Sequence, residues 1–162
     1  LLRPCDPGVG VAAPPLPASR TPATPAAVRP RVLVVDDEVR ITQSISRLFA
    51  RELRVVAEFD GRRALERLKD DRDFDVIICD LMMPEMSGME LFEEIRRLSP
   101  RLARRVVFLT GGAFTPEATT FLDGVRNPVV EKPFDAAELR AVIEDTLRRA
   151  NEPAGLSSSP KN

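Results

Sequence analysis

The sequence contains no histidine, no tryptophan and no tyrosine. Without an imidazole it has no side-chain general base, metal ligand or phosphoryl carrier of that kind. Any phosphate chemistry must run on carboxylates, hydroxyls and lysine, or borrow a histidine from another chain or segment. Cysteine is scarce: Cys5 stands in a Pro-rich stretch and Cys79 in an apolar run. A structural zinc site is not expected. No disulfide is expected, and a reducing cytoplasm fits. No apolar run approaches the roughly 20 residues of a membrane span. The opening Leu1-Leu2-Arg3-Pro4 lacks the apolar core of a signal peptide. Charge of either sign is not in excess, with 24 Lys+Arg against 25 Asp+Glu. That balance gives no expectation of nucleic-acid or anionic-membrane binding. There is no initiator Met, so the chain is expected to be a piece of a longer one.

What is present is an ordinary globular composition, 43% hydrophobic and 30% charged over 162 residues. Residues 1–30 are rich in Pro and Ala and read as an extended, solvated linker. Residues 150–162 read as a disordered tail. The segment between, 31–149, is long enough for one packed core.

Within it, short apolar runs alternate with helical patterns. Val32–Val35, Val76–Cys79, Val106–Leu109 and Val129-Val130 read as buried strands, with a weaker one at Val55-Val56-Ala57. Continuous Val/Ile/Leu runs suit parallel strands covered on both faces. Helices are expected over 39–51, 61–70, 87–98, 116–122 and 135–149. In the first, Val39, Ile41, Ile45, Leu48 and Phe49 fall near one face. Ser87 with Glu90, and Asp135 with Glu138, have the spacing of helix N-caps. The pattern is (βα)5, an α/β fold with a doubly wound parallel five-stranded sheet and right-handed crossovers. Such sheets bind ligands at the carboxyl ends of their strands.

The residues at those ends carry the functional information. Strand one runs into Asp36-Asp37-Glu38, strand three into Asp80, strand four into Thr110-Gly111-Gly112 and strand five into Glu131-Lys132-Pro133. Singly, each reads as a cap or a turn, and Cys79 as core. In a parallel sheet all four ends meet at one edge. Clustered carboxylates repel, and burial makes this worse. A hard divalent cation such as Mg2+ relieves the repulsion. Lys132 and the cation would together neutralise a phosphoryl group, with Asp80 placed as a carboxylate nucleophile. Thr110 can hydrogen-bond a phosphoryl oxygen.

With these residues, the sequence resembles the response-regulator receiver family, over about residues 30–149. The matching stretches are Val-Leu-Val-Val-Asp36-Asp37-Glu38, Asp80-Leu-Met-Met-Pro84-Glu-Met-Ser-Gly88, Phe108-Leu109-Thr110-Gly111 and Glu131-Lys132-Pro133-Phe134. The resemblance implies strand order 2-1-3-4-5. It implies that Asp80 takes phosphate from a phosphohistidine on a histidine kinase or histidine phosphotransfer domain. Asp36, Asp37 and Asp80 would hold Mg2+, with the Met82 backbone carbonyl completing the protein ligands. Lys132 would pair with the phosphoryl group and Thr110 would follow it on activation. Pro84 and Gly88 would shape the loop.

The chain would then be a phosphoacceptor that also loses its own phosphate, without a kinase domain. Self-association would use the fourth helix, fifth strand and fifth helix. The Pro/Ala-rich lead-in and the stretch from Phe108 through Phe134 also resemble receivers at the C-terminus of hybrid sensor histidine kinases. One departure is Val129, where the family often carries an aromatic that rotates with the threonine. Two other readings compete. One is a non-phosphorylated binding module of the same fold. The other is a haloacid-dehalogenase-like phosphatase, which would need an Asp-x-Asp pair after strand one.

Overall fold

Five short apolar runs of two to four residues pair side by side in the computed structural model, which describes residues 28–112 and 114–152. The strands are β1 (Arg31–Val35), β2 (Arg54–Glu58), β3 (Val76–Asp80), β4 (Val106–Thr110) and β5 (Val129–Glu131). All pairings are parallel, in the order β2-β1-β3-β4-β5. The helices are α1 (Val39–Leu48), α2 (Gly61–Asp70), α3 (Gly88–Leu98), α4 (Pro100–Ala103), α5 (Pro116–Gly124) and α6 (Ala136–Asn151). The expected linker lies outside the described residues up to residue 27, and the expected tail from residue 153.

Successive side chains of a strand point to opposite faces, and both faces are buried. Val32, Val34, Ile78, Val107 and Leu109 pack with Ile45 and Phe49 near α1 and with Leu139 and Ile143 of α6. Leu33, Ile77, Cys79 and Phe108 pack with Leu65 and Leu68 of α2 and Leu91, Phe92 and Ile95 of α3. Each such aliphatic side chain taken from water contributes about 1.5–3 kcal/mol before the entropy of ordering it. Edge-to-face stacking of Phe92, Phe108 and Phe121, with centroids 5.3–5.5 Å apart, fastens α3 and α5 to β4.

The N-cap expectations hold. Ser87 and Glu90 form a reciprocal capping box, and Asp135 accepts from the Glu138 N–H. The differences are instructive. The first helix stops at Leu48 rather than residue 51, and the chain turns through Phe49 N–H to the Ile45 carbonyl. Its inward face is Thr42, Ile45 and Phe49, while Val39 and Leu48 are about half exposed. Thr42 is tolerated there because its hydroxyl donates to the Val39 carbonyl, 2.9 Å away. The short helix α4 was not expected. Ser99 both ends α3 and caps α4, with Pro100 at the first position. The fourth and fifth long helices are therefore α5 and α6.

Candidate functional site

Register brings the strand ends together. Asp80 of β3 lies opposite Leu109 of β4, and Thr110 of β4 opposite Glu131 of β5. The Leu81 N–H donates to the Leu109 carbonyl at 2.9 Å, and the Lys132 N–H to the Thr110 carbonyl at 2.7 Å. Pairing thus continues one residue past the strands and fixes Asp80, Thr110 and Lys132 side by side. On the other flank, the Asp36 N–H donates to the Glu58 carbonyl at 3.1 Å.

The site is centred on Lys132. Its Nζ stands 2.7 Å from Asp36 Oδ2, 3.3 Å from Asp80 Oδ2 and 3.5 Å from Glu38 Oε1. Asp36 and Asp80 are buried, at 0% and 4% exposure, and Thr110 is buried at 2%. One carboxylate oxygen from each of Asp36, Asp37 and Asp80 can be chosen so that all three lie within 4.8 Å of one another. Asp37 is exposed and lets the cluster open to solvent. Thr110 Oγ1 accepts from the Gly112 N–H at 3.4 Å.

Burial raises the Asp80 carboxyl to about 6, and the neighbouring Asp36 adds to the rise against the pull of Lys132. Asp36 is also raised, again mainly by burial, with Lys132 and the Glu38 N–H opposing. Lys132 is raised: burial works against its charge, but Asp36 and Asp80 more than offset this. One cation therefore serves two buried carboxylates, and the cluster remains short of positive charge.

The residues fit a hard cation. Asp36 Oδ2 is buried against Lys132 Nζ at 2.7 Å, and that one ammonium is shared with Asp80 at 3.3 Å. Two buried carboxylates on one ammonium leave uncompensated negative charge that a further cation would offset. The donor set is all oxygen, as Mg2+ prefers.

The loop after β3 holds Asp80 in place. The Gly88 N–H donates to the Leu81 carbonyl at 2.9 Å, and the Met82 N–H approaches Asp80 Oδ1 at 3.4 Å. Glu85 takes a positive φ of 65° at the tip. Met82 itself is about half exposed at the mouth of the site.

Each residue expected at the site from sequence falls at this edge. Two contacts were not anticipated. Glu38 was read as part of the acidic turn, not as a partner of Lys132. Its place directly after the acidic pair was the available signal. Glu131 lies against Gly112, where an added Cβ would come within 2.7 Å of its Oε1. Cys79, read as core, is buried, and burial pushes its thiol far up. Val129 is 39% exposed and brings no ring to Thr110.

Comparison with known proteins agrees with this geometry. The family model described as the response regulator receiver domain matches residues 32–144. The response regulator MprA of Mycolicibacterium vanbaalenii is 32% identical over 130 residues, covering 80% of this chain and 55% of that protein. The chain spans about half the length of the curated relatives it matches. A response regulator receiver domain protein from Clostridium thermocellum superposes with a TM-score of 0.67 at 29% identity, covering 74% of this chain and 95% of that one. A BeF3-activated DrrB receiver domain gives 0.64 at 26% identity, covering 75% and 99%. By sequence match, sheet order and the composition of its acidic edge, the chain belongs to the response regulator receiver domain family.

Proposed function

We propose that Asp80 is the phosphoryl acceptor of this receiver domain. A carboxylate oxygen of Asp80 attacks the phosphorus of a phosphohistidine on a histidine kinase or histidine phosphotransfer domain. The P–N bond breaks, its electron pair stays on the imidazole nitrogen, and that nitrogen takes up a proton. The product is an acyl phosphate on Asp80. The observation that carries this is the Lys132 ammonium, 3.3 Å from Asp80 Oδ2 and shared with Asp36. It stands where charge on the transferring group develops.

Asp36, Asp37 and Asp80, with the Met82 carbonyl, would hold Mg2+. The ion would neutralise phosphoryl oxygens and screen the carboxylates from one another. Lys132 neutralises the remaining charge. Thr110, buried beside Asp80, gives up its contact with the Gly112 N–H and donates its hydroxyl to the new phosphoryl group.

Phosphorylation adds about −1.5 to −2 charge at this edge. The β4–α5 loop follows Thr110, and the equilibrium shifts at the surface of α5, β5 and α6. Val129 and Phe114, exposed at 39% and 45%, belong to β5 and to the loop before α5. Self-association through that face is the expected readout. No helix among the described residues is long and apolar enough to cross a membrane.

The test is acetyl phosphate, or beryllofluoride, with Mg2+. Wild type gains one phosphoryl mass or binds beryllofluoride, and Asp80→Asn does neither. A wild type inert to both reagents overturns the assignment. Modification that persists in Asp80→Asn moves the acceptor elsewhere.

A further inference from the structure

At the opposite edge of the sheet, arginines gather where nothing in the phosphoacceptor chemistry calls for them. Arg105 precedes β4, Arg126 precedes β5, Arg101 and Arg104 belong to α4 and its C-cap, and Arg149 sits in the last turn of α6. They line one cavity of about 490 Å3, within the range of small-molecule sites. Among the described residues, Glu152 is the one acidic member of its lining. The chain as a whole is near neutral, so this is a local accumulation and not a basic background.

Arg105 is the informative member. It is 9% exposed, yet no carboxylate pairs with it among the described residues. One guanidinium nitrogen, Nη1, donates to the Phe74 carbonyl at 2.6 Å, and the other N–H groups take no acceptor among the described residues. A guanidinium with no counter-ion among the described residues, its free N–H groups open to the cavity, is available to an anion that enters. The Phe74 bond fixes the planar fork, and such a fork matches phosphate oxygens in pairs. Arg101, Arg104 and Arg126 also form no ion pair among the described residues, whereas Arg149 is held by Asp145 at 2.7 Å.

The remaining lining is less charged. Both amide hydrogens of Asn127 are committed, to the Ala103 and Val106 carbonyls at 2.8 Å each. Its side-chain carbonyl is left as an acceptor for a donor on a ligand. Pro128 and Ala150 add apolar surface. The volume exceeds what a bare phosphate would fill.

We propose that this cavity binds a nucleoside di- or triphosphate. Its phosphates lie on Arg104, Arg105 and Arg126, and its base lies against Pro128 within reach of Asn127. The site is separate from Asp80, at the other end of parallel strands.

The test uses the whole chain in metal-free buffer, with ATP, GTP and inorganic tripolyphosphate as probes, followed by calorimetry and amide shifts. ATP or GTP should bind and move the amides of Arg104, Arg126 and Asn127. Replacing both exposed arginines, Arg104→Ala with Arg126→Ala, should weaken binding about tenfold or more. Arg47→Ala, on the exposed face of α1, should not. Thermal melts establish that both variants fold. Absence of binding at millimolar nucleotide, or binding indifferent to the Arg104/Arg126 pair, overturns the site. Tripolyphosphate binding as tightly as either nucleotide overturns the nucleoside assignment.

Discussion

Gly88 is pressed against the backbone of Asp80: a Cβ at residue 88 would stand 2.1 Å from the Asp80 carbonyl oxygen. No rotamer change relieves that overlap, because the obstacle is main chain. Gly88→Ala should force the loop after β3 away from Asp80. A loss of about 1–3 kcal/mol in urea unfolding is expected, as for overpacked sites. Acetyl phosphate labelling of Asp80 should also slow. Gly124 is the internal comparison, since nothing lies within 4 Å of its added Cβ. Gly124→Ala should be neutral or stabilising by up to about 1 kcal/mol. Equal losses in the two variants would remove the steric explanation.

A second expectation concerns pH. Asp80 is raised to about 6 in the folded chain, by burial first and then by Asp36. An unfolded aspartate titrates near about 3.9. Between those values the folded chain keeps a proton that the unfolded chain has released. The stabilising contribution is therefore fully present below about 4 and is lost as pH rises through about 6. Metal-free wild type should lose stability over that interval. Asp80→Asn should flatten the loss and be more stable at neutral pH, by on the order of 1–3 kcal/mol. Denaturant midpoints across the interval measure this. Asp36 and Asp80 face the same ammonium, so the pair titrates together and the midpoint belongs to both.

Mg2+ should oppose that loss, because it competes with the proton for the same oxygens. At neutral pH, Mg2+ at ten times its Kd should add roughly 1.4 kcal/mol of stability. A chelator should remove the gain, and it should fade as pH falls below about 6, where Asp80 takes its proton. Asp36→Asn and Asp37→Asn should each diminish it. Thermal melts with and without the ion decide the matter. A gain untouched by both variants would place the ion elsewhere.

The sequence was most legible where its physics is local. Unbroken apolar runs of four residues announce strands buried on both faces, and residues at their ends announce the site, because parallel pairing leaves Asp36, Asp80, Thr110 and Lys132 nowhere else to go. Ser87 and Asp135 mark helix starts because a cap is decided within four residues. What escaped depends on side chains from distant elements. The outward turn of Val39 and Leu48 follows from the crossing of α1 over the sheet, which periodicity does not encode. Glu38 joins Lys132 only because β5 delivers the ammonium to the end of β1. The α4 turn was hidden because Ser99 serves both as the end of one helix and the cap of the next. The arginine cavity gathers residues from three separate loops and helices, and no motif marks it.

Thr110 separates chemistry from response. Its hydroxyl is buried and faces the Gly112 N–H at 3.4 Å, and Asp80 keeps Lys132 without it. Thr110→Ala should therefore still bind beryllofluoride with Mg2+. The amide shifts that wild type shows in α5 and β5 on binding should be lost. Val129→Ala should change neither, since Val129 is 39% exposed and offers no ring to follow the hydroxyl. If Val129→Ala abolished the shifts while Thr110→Ala spared them, the response would run through β5 itself.

Lys132 gives the most severe expectation. Its side chain is 12% exposed and is the cation that Asp36 and Asp80 share, at 2.7 and 3.3 Å. Lys132→Ala leaves two buried carboxylates facing each other, a change that costs about 3 kcal/mol or more when no partner replaces the lost one. The metal-free variant should unfold at lower urea, and more so at neutral pH than near pH 4, where both acids can take protons. Mg2+ should restore a larger share of stability to the variant than it adds to wild type, because the ion meets a more negative site. Phosphoryl transfer from acetyl phosphate should nevertheless remain slow at saturating Mg2+, since the charge beside the transferring group is missing. Full recovery of the labelling rate by Mg2+ alone would confine Lys132 to a structural role.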